Sequence, residues 1–368
     1  MANDKPTQFD VATLAQVSQS TVSAILRQPG RAGSFDPSTR ARVIQAARQL
    51  NYRPHLAGMS LRSGRTFAIA MAVPAYESIT HTIQARIFQG AGERARELGY
   101  TLSISTYRHD ETQHDDIRLS FRSMLQEARF DGALIYGLFS GESDVREEVL
   151  DELHLPHVVL ERTSDFSPSI NFDHFAGGRM ATEHLIRLGR KRIVFLGDNE
   201  TRTPMHDRCL GYQQALAAAG LEVEPARICA MPNRASYYDM GLGMVHRLLD
   251  SRVAFDGVVA AADEFAMLAI QALHARGLRV PEDVAIVGYD DSAAATLASP
   301  PLTSVYQDGV AMGRQAMDML EALIRPAQTS PAAEDFSSDE RKDLAADARQ
   351  QRIIMPELIV RRSCGSPM

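Results

Sequence analysis

The chain has 368 residues, with 39 Lys and Arg against 46 Asp and Glu for a net charge of −7, and is 45% apolar and 23% charged. This is the composition of a globular protein of roughly two or three domains, which excludes collagen, coiled coil and intrinsic disorder. No run reaches the roughly 18 apolar residues of a membrane span, and the polar N-terminus is not expected to be a secretory leader. Three scattered cysteines (Cys209, Cys229, Cys364) form neither a disulfide framework nor a zinc site, so a cytoplasmic setting is expected.

The charge is unevenly spread. Residues 1–65 hold nine basic groups against three acids, a net +6, which leaves −13 for the rest. A basic head on an acidic body suggests a polyanion-binding module joined to something else. Three short helices can be read in the head. Thr7 caps the first, with Val11, Leu14 and Ala15 on one face. Ser18 caps the second, with Val22, Ile25 and Leu26 inward, and only Gln16-Val17 separates the two. Asp36-Pro37 opens the third, which buries Val43, Ile44, Ala47 and Leu50. Two helices across a tight turn make a helix-turn-helix, whose second helix enters the DNA major groove. Any small three-helix bundle shows the same spacing; the charge asymmetry favours DNA.

The run Asp10-Val-Ala-Thr-Leu-Ala-Gln-Val-Ser-Gln-Ser-Thr-Val-Ser-Ala-Ile-Leu26, continued in Leu50-Asn-Tyr-Arg-Pro54 and Leu61-Arg-Ser-Gly-Arg-Thr66, resembles the headpiece of the lactose/galactose repressor (LacI/GalR) transcription factors. The resemblance implies that residues 18–26 are the recognition helix. Gln19, Ser20 and Ala24 then read bases, while Ser18, Thr21 and Ser23 position the helix on the backbone, with Arg27 in the DNA-binding set. It also implies a hinge helix over 54–62 whose Leu61 wedges between base steps in the minor groove. The alternative for Leu61 is a linker residue packed on the body. Departures are Gln16 for the usual turn glycine, the short Ala24, His55, and Gly58, which costs about 1 kcal/mol of helix propensity.

After Arg65 the pattern alternates between strands and helices. Strands are expected over 67–73, 100–105, 130–136, 157–160, 192–196, 257–260, 284–287 and 353–360, with helices over 81–98, 115–127, 175–188, 208–219, 237–250 and 264–276. Repeated βα units of this kind mean an α/β body of two Rossmann-like lobes. The body resembles the same family, most densely in Gly277-x-x-Val-Pro-Glu-Asp-Val-Ala-Ile-Val-Gly-Tyr-Asp-Asp291, and so implies a periplasmic-binding-protein-like fold with three crossings, near 170, 304 and 326. The expected organisation is a headpiece over 1–53 and a hinge over 54–65. A first lobe spans 66–170 plus 305–326, and a second spans 171–304 plus 351–362. The acidic stretch 327–350 is expected to be a mobile insert.

Ligands of such folds sit at the carboxyl ends of the strands, in the cleft. Polyols call for carboxylates that accept from adjacent hydroxyls and for an Arg fork. Arg208 and Asp290 match the family's effector positions best. Glu161 with Arg162, Asp263, Tyr136, Tyr76, Asp173 and Arg202 complete the candidate set. Asp263 could equally cap a helix, and Glu161–Arg162 could be a rim ion pair. The reading is a dimeric regulator, expected to be a repressor. Its partners are a palindromic double-stranded operator and a small effector: a sugar, sugar acid or sugar phosphate. The alternative is a sugar-binding transport component. No dinucleotide fingerprint, Walker loop, nucleophile elbow or metal-ligand spacing is present, so neither an enzyme, a cofactor nor a metal site is expected.

Overall fold

The computed structural model describes residues 6–27, 35–52, 65–74, 81–107, 114–128, 130–137, 143–162, 167–197, 204–230, 237–251, 253–325 and 350–366. The hinge helix with Leu61, the candidates Tyr76 and Arg202, and the insert over 327–349 lie outside the described residues.

The head contains α1 (Gln8–Ala15), α2 (Gln19–Arg27) and α3 (Pro37–Gln49). Thr7 and Asp10 cap each other's backbone at the start of α1, satisfying two otherwise orphaned N–H groups. Asp36 accepts from the amides of Ser38 and Thr39, with Pro37 at the first helical position. The turn between α1 and α2 passes through Gln16 in the left-handed region (φ 53°). A β-carbon makes that conformation costly, which explains why glycine is usual there. Val11, Ala12 and Ala15 of α1 pack against Val22, Ile25, Val43, Ala46 and Ala47. Leu14, expected inside, is exposed. In a two-turn helix facing both neighbours, the inward stripe runs through 11, 12 and 15 instead.

The body holds two six-stranded sheets. The first contains β1 (Ala68–Pro74), β2 (Thr101–Tyr107), β3 (Gly132–Tyr136), β4 (His157–Leu160), β5 (Ser169–Phe172) and β11 (Gln351–Ile354), in the order β11-β5-β4-β3-β1-β2. The second contains β6 (Ile193–Gly197), β7 (Ile228–Ala230), β8 (Gly257–Ala260), β9 (Ala285–Tyr289), β10 (Thr303–Tyr306) and β12 (Glu357–Ile359), in the order β12-β10-β9-β8-β6-β7. All pairings are parallel except β10 with β12. Central strands such as β3, β4 and β8 are buried at every residue, as helices on both faces require. The first lobe's helices are α4 (Thr82–Leu98), α5 (His114–Ala128), α6 (Ser143–Glu152) and α12 (Gly309–Ile324). The second lobe's are α7 (His174–Arg187), α8 (Pro204–Ala218), α9 (Tyr237–Asp250), α10 (Asp263–Ala275) and α11 (Ala293–Leu297).

In each lobe two helices pack backbone to backbone. A β-carbon at Gly90 or Gly313 would collide with the carbonyls of Val310 or Ile87, locking α4 to α12. One at Gly178 or Gly211 would collide with those of Arg208 or Phe175, locking α7 to α8.

The chain passes between lobes at Asp173, at Gln307–Asp308 and at Met355–Pro356. The third crossing replaces the one expected near 326, and the single strand expected over 353–360 is two strands, one in each sheet. Pro356, which has no N–H for a ladder, interrupts them. β11 therefore belongs to the first lobe, not the second as expected. At the other end of the first lobe, Asp131 accepts from the amides of Thr66 and Phe67, at 2.7 and 2.9 Å, tying down the segment that leads from the head.

Candidate functional site

On the head, Gln19, Ser20 and Ala24 are exposed along α2, while Thr21 and Ser23 are half-buried beside them. Ser18 Oγ accepts from the Thr21 amide at 3.1 Å and meets the hydroxyls of Ser20 and Thr21, so it caps and orders the start of α2. Burial of Val22 and Ile25 presents the polar face outward. Arg27 ends the helix.

Between the lobes the structure assembles a buried chain of charged and polar side chains. Glu161 follows β4 with a left-handed backbone (φ 63°), and its side chain is 7% exposed. Its Oε2 lies 3.6 Å from His174 Nε2. His174 is the first residue of α7, immediately after the first crossing. Its Nδ1 faces Arg208 Nη2 at 3.3 Å and Gln307 Nε2 at 3.4 Å. Both neighbours can donate, so Nδ1 is the accepting nitrogen, and the proton belongs on Nε2, toward Glu161. Burial holds the His174 pKa below its usual value, Arg208's charge adds to this, and Glu161 opposes it.

Arg208, on α8, is 5% exposed. Its Nη1 donates to the Ala261 carbonyl at 2.5 Å, and its Nη2 also reaches Gln307 Oε1 at 3.3 Å. The guanidinium stands 3.7 Å from the Tyr289 ring centroid, a close cation–π contact, and 4.0 Å from Asp290 Oδ1. Asp290 follows β9 in a left-handed backbone (φ 96°). Burial pushes its pKa up to about 8, outweighing Arg208, while Asp263, Glu264 and Glu161 push the same way. Arg86, from α4 of the first lobe, donates to the Asp290 and Asp291 carbonyls at 2.8 and 2.6 Å and so bridges the lobes.

Two of the candidates, Asp263 and Asp173, have carboxylates engaged by the fold itself. Asp263 accepts from the Ser292 amide and the Ser304 hydroxyl, both at 2.6 Å, so its two oxygens knit α10 to the β9 and β10 ends. Burial raises its pKa to about 6. Asp173 caps α7 through the Ala176 amide at 2.7 Å. Tyr136 is buried, with its ring edge-on to Phe88 of α4 at 6.1 Å. Arg162 is half-buried beside Glu161. Glu161, Arg208 and Asp290 do come together. His174, Gln307 and Arg86 were not anticipated: nothing in their spacing marks them, and only their positions at two crossings and on the α4 face bring them to the site.

A helix-turn-helix head on a basic segment, joined to two Rossmann-like lobes around a polar cleft, defines a class of DNA-binding regulators with a periplasmic-binding-protein-like body. Residues 8–55 match the bacterial regulatory proteins of the lacI family, and residues 182–364 match the periplasmic binding protein-like domain. The transcriptional regulator CelR of Thermobifida fusca is 33% identical over 337 residues, covering 89% of this chain and 94% of that protein. The repressor PurR of Haemophilus influenzae (strain PittEE) is 31% identical over 97% of this chain and 98% of its own. Among solved structures, a CelR–cellobiose complex superposes with a TM-score of 0.68 at 30% identity, covering 97% of this chain and 99% of that one. The lac repressor dimer bound to operator and an anti-inducer shares the fold, with a TM-score of 0.72 at 22% identity over 98% and 99% of the two chains. The chain belongs to the LacI family and is a DNA-binding transcriptional regulator, not an enzyme. Among the described residues, no helix is long and apolar enough to cross a membrane.

Proposed function

We propose that this regulator binds a palindromic operator as a homodimer and represses transcription until a small carbohydrate-like effector occupies the cleft between its lobes. The observation that carries the effector half is the buried chain Glu161–His174–Arg208–Asp290, spanning both lobes where the chain crosses between them. Glu161 Oε1 and Asp290 Oδ1 are buried without a hydrogen-bond partner. Such atoms are costly unless a ligand completes them.

In the DNA half, Gln19, Ser20 and Ala24 face base edges in the major groove, and Gln19 suits an adenine. Ser18, Thr21, Ser23 and Arg27 seat the helix on phosphates, and Leu61 enters the minor groove. Control is a population shift: one lobe arrangement lets two heads span the operator, and effector favours another. The kinship with CelR, solved with cellobiose, and with the repressor PurR supports both halves.

Selection from random duplexes with the full chain tests the DNA half. Enriched sites should be two-fold symmetric. Gln19→Ala should cost about 1–3 kcal/mol and relax the preference at one symmetry-related position. Asymmetric sites, or enrichment unchanged by Gln19→Ala, would contradict the proposal.

A further inference from the structure

We propose that the cleft selects an uncharged polyol over its anionic counterparts, and that His174 is the residue that sets this selectivity. The inference rests on the cleft being the effector site. Capture of a carboxylate or phosphate by arginine uses two parallel N–H groups of the fork. In Arg208 both terminal nitrogens are engaged: Nη1 on the Ala261 carbonyl, and Nη2 on His174 Nδ1 and Gln307 Oε1. One face of the guanidinium is covered by Tyr289. The terminal nitrogens of Arg86 are likewise engaged, by the carbonyls of Asp290 and Asp291.

Among the atoms that the buried chain leaves open are two acceptors: Glu161 Oε1 and Asp290 Oδ1 are buried carboxyl oxygens without a hydrogen bond. Sugar hydroxyls can donate to both. An anion placed there would meet Glu161 at close range and lose its hydration without an arginine fork to replace it.

His174 and Gln307 make this arrangement rigid. They stand at the first and second of the three crossings, so two of the crossings hold the same Arg208 nitrogen. His174 serves because its Nδ1 is an acceptor aimed at Nη2 while its Nε2 faces Glu161. Without that acceptor, Nη2 is held by Gln307 alone and can turn toward the ligand. His174 is therefore a positioning residue: it determines specificity through Arg208, with no ligand contact of its own.

The test uses the full chain and calorimetric titration with three matched pairs: cellobiose, D-glucose and D-galactose, each against its aldonate. The wild-type protein should bind at least one neutral sugar, and that sugar at least about tenfold more tightly than its aldonate. His174→Ala, and independently Gln307→Leu should the first not fold, should narrow the ratio to below about threefold by gaining aldonate affinity. Equal or tighter aldonate binding by the wild type would overturn the selectivity and leave the cleft as the effector site. A uniform loss of affinity for both members of a pair in the variants would overturn the role of His174. Absence of binding by all six probes would overturn the cleft reading together with the inference.

Discussion

Each lobe arranges its five leading strands in the same order and locks two helices together through glycines, but the charges lie differently around the two crossings. Around α4 and α12 exposed ion pairs lie on the surface, Arg94 with Asp318 at 2.7 Å and Arg314 with Glu97 at 2.9 Å, and Glu321 of α12 is buried against Tyr100. Around α7 and α8 the Arg208 guanidinium lies beneath the surface, beside the buried His174 imidazole. Exposed pairs of the first kind contribute about 0–1 kcal/mol each. Buried charges of the second kind are poor sources of stability, because desolvation offsets their attraction. The shared scaffold serves architecture in both lobes, and in the proposed function the buried groups of the second serve ligand sensing.

The comparison can be broken most severely at the glycines. Gly178→Ala and Gly313→Ala should each destabilise the body by about 3 kcal/mol, since the colliding atoms are backbone carbonyls that cannot swing aside. Urea unfolding measures this. The two variants should then part: Gly178→Ala displaces Arg208 and loses sugar binding, whereas Gly313→Ala retains it. Next in size is Asp263→Ala, which strands the Ser292 amide and the Ser304 hydroxyl at a cost of about 2 kcal/mol. Equal stability of the variant and the wild type would return Asp263 to the set of ligand contacts.

A smaller and pH-dependent effect belongs to Asp290. Its pKa rises from 3.8 to about 8 on folding, so the folded state keeps a proton that the unfolded chain releases. The contribution of Asp290 to stability then falls as pH rises across that window, and that of Asp263 falls between 3.8 and about 6. Asp290→Asn should flatten the decline in unfolding free energy between pH 6 and pH 8, and an unaltered slope would contradict the burial of this group. The smallest effect lies in the head. Gln16→Gly should stabilise α1 and α2 by about 0.5–1 kcal/mol through relief of the left-handed turn, seen as slower amide exchange in those helices.

Most of this architecture was legible in the chain because its strands are long apolar runs separated by amphipathic helices. What escaped includes the helices α6 and α12, which the sequence reading did not give, and elements that are short or interrupted. β5 and β7, with four and three residues, carry too few positions for a period to show. Pro356 divides an apolar run between two sheets. Glu161, Arg208 and Asp290 were readable from the family pattern and from their places at the ends of strands or on a helix. His174, Gln307 and Arg86 were not, since each acts through a partner 34 to 204 residues away in the chain. Asp263 shows the limit from the other side: helix cap and ligand contact were the readings the sequence offered, and the carboxylate instead ties the start of α10 to the Ser292 amide and to the Ser304 hydroxyl of β10.

The central claim is that the buried chain around Arg208 reads the effector while the head reads DNA. It is tested most directly by following release of a selected operator, with fluorescence anisotropy, as the best-binding neutral sugar is added to the wild type and to Arg208→Ala. Sugar should lower the wild type's operator affinity by at least about tenfold and leave that of Arg208→Ala unchanged, with equal operator affinity before sugar is added. Loss of operator binding by Arg208→Ala while the remaining binding still responds to sugar would contradict the account.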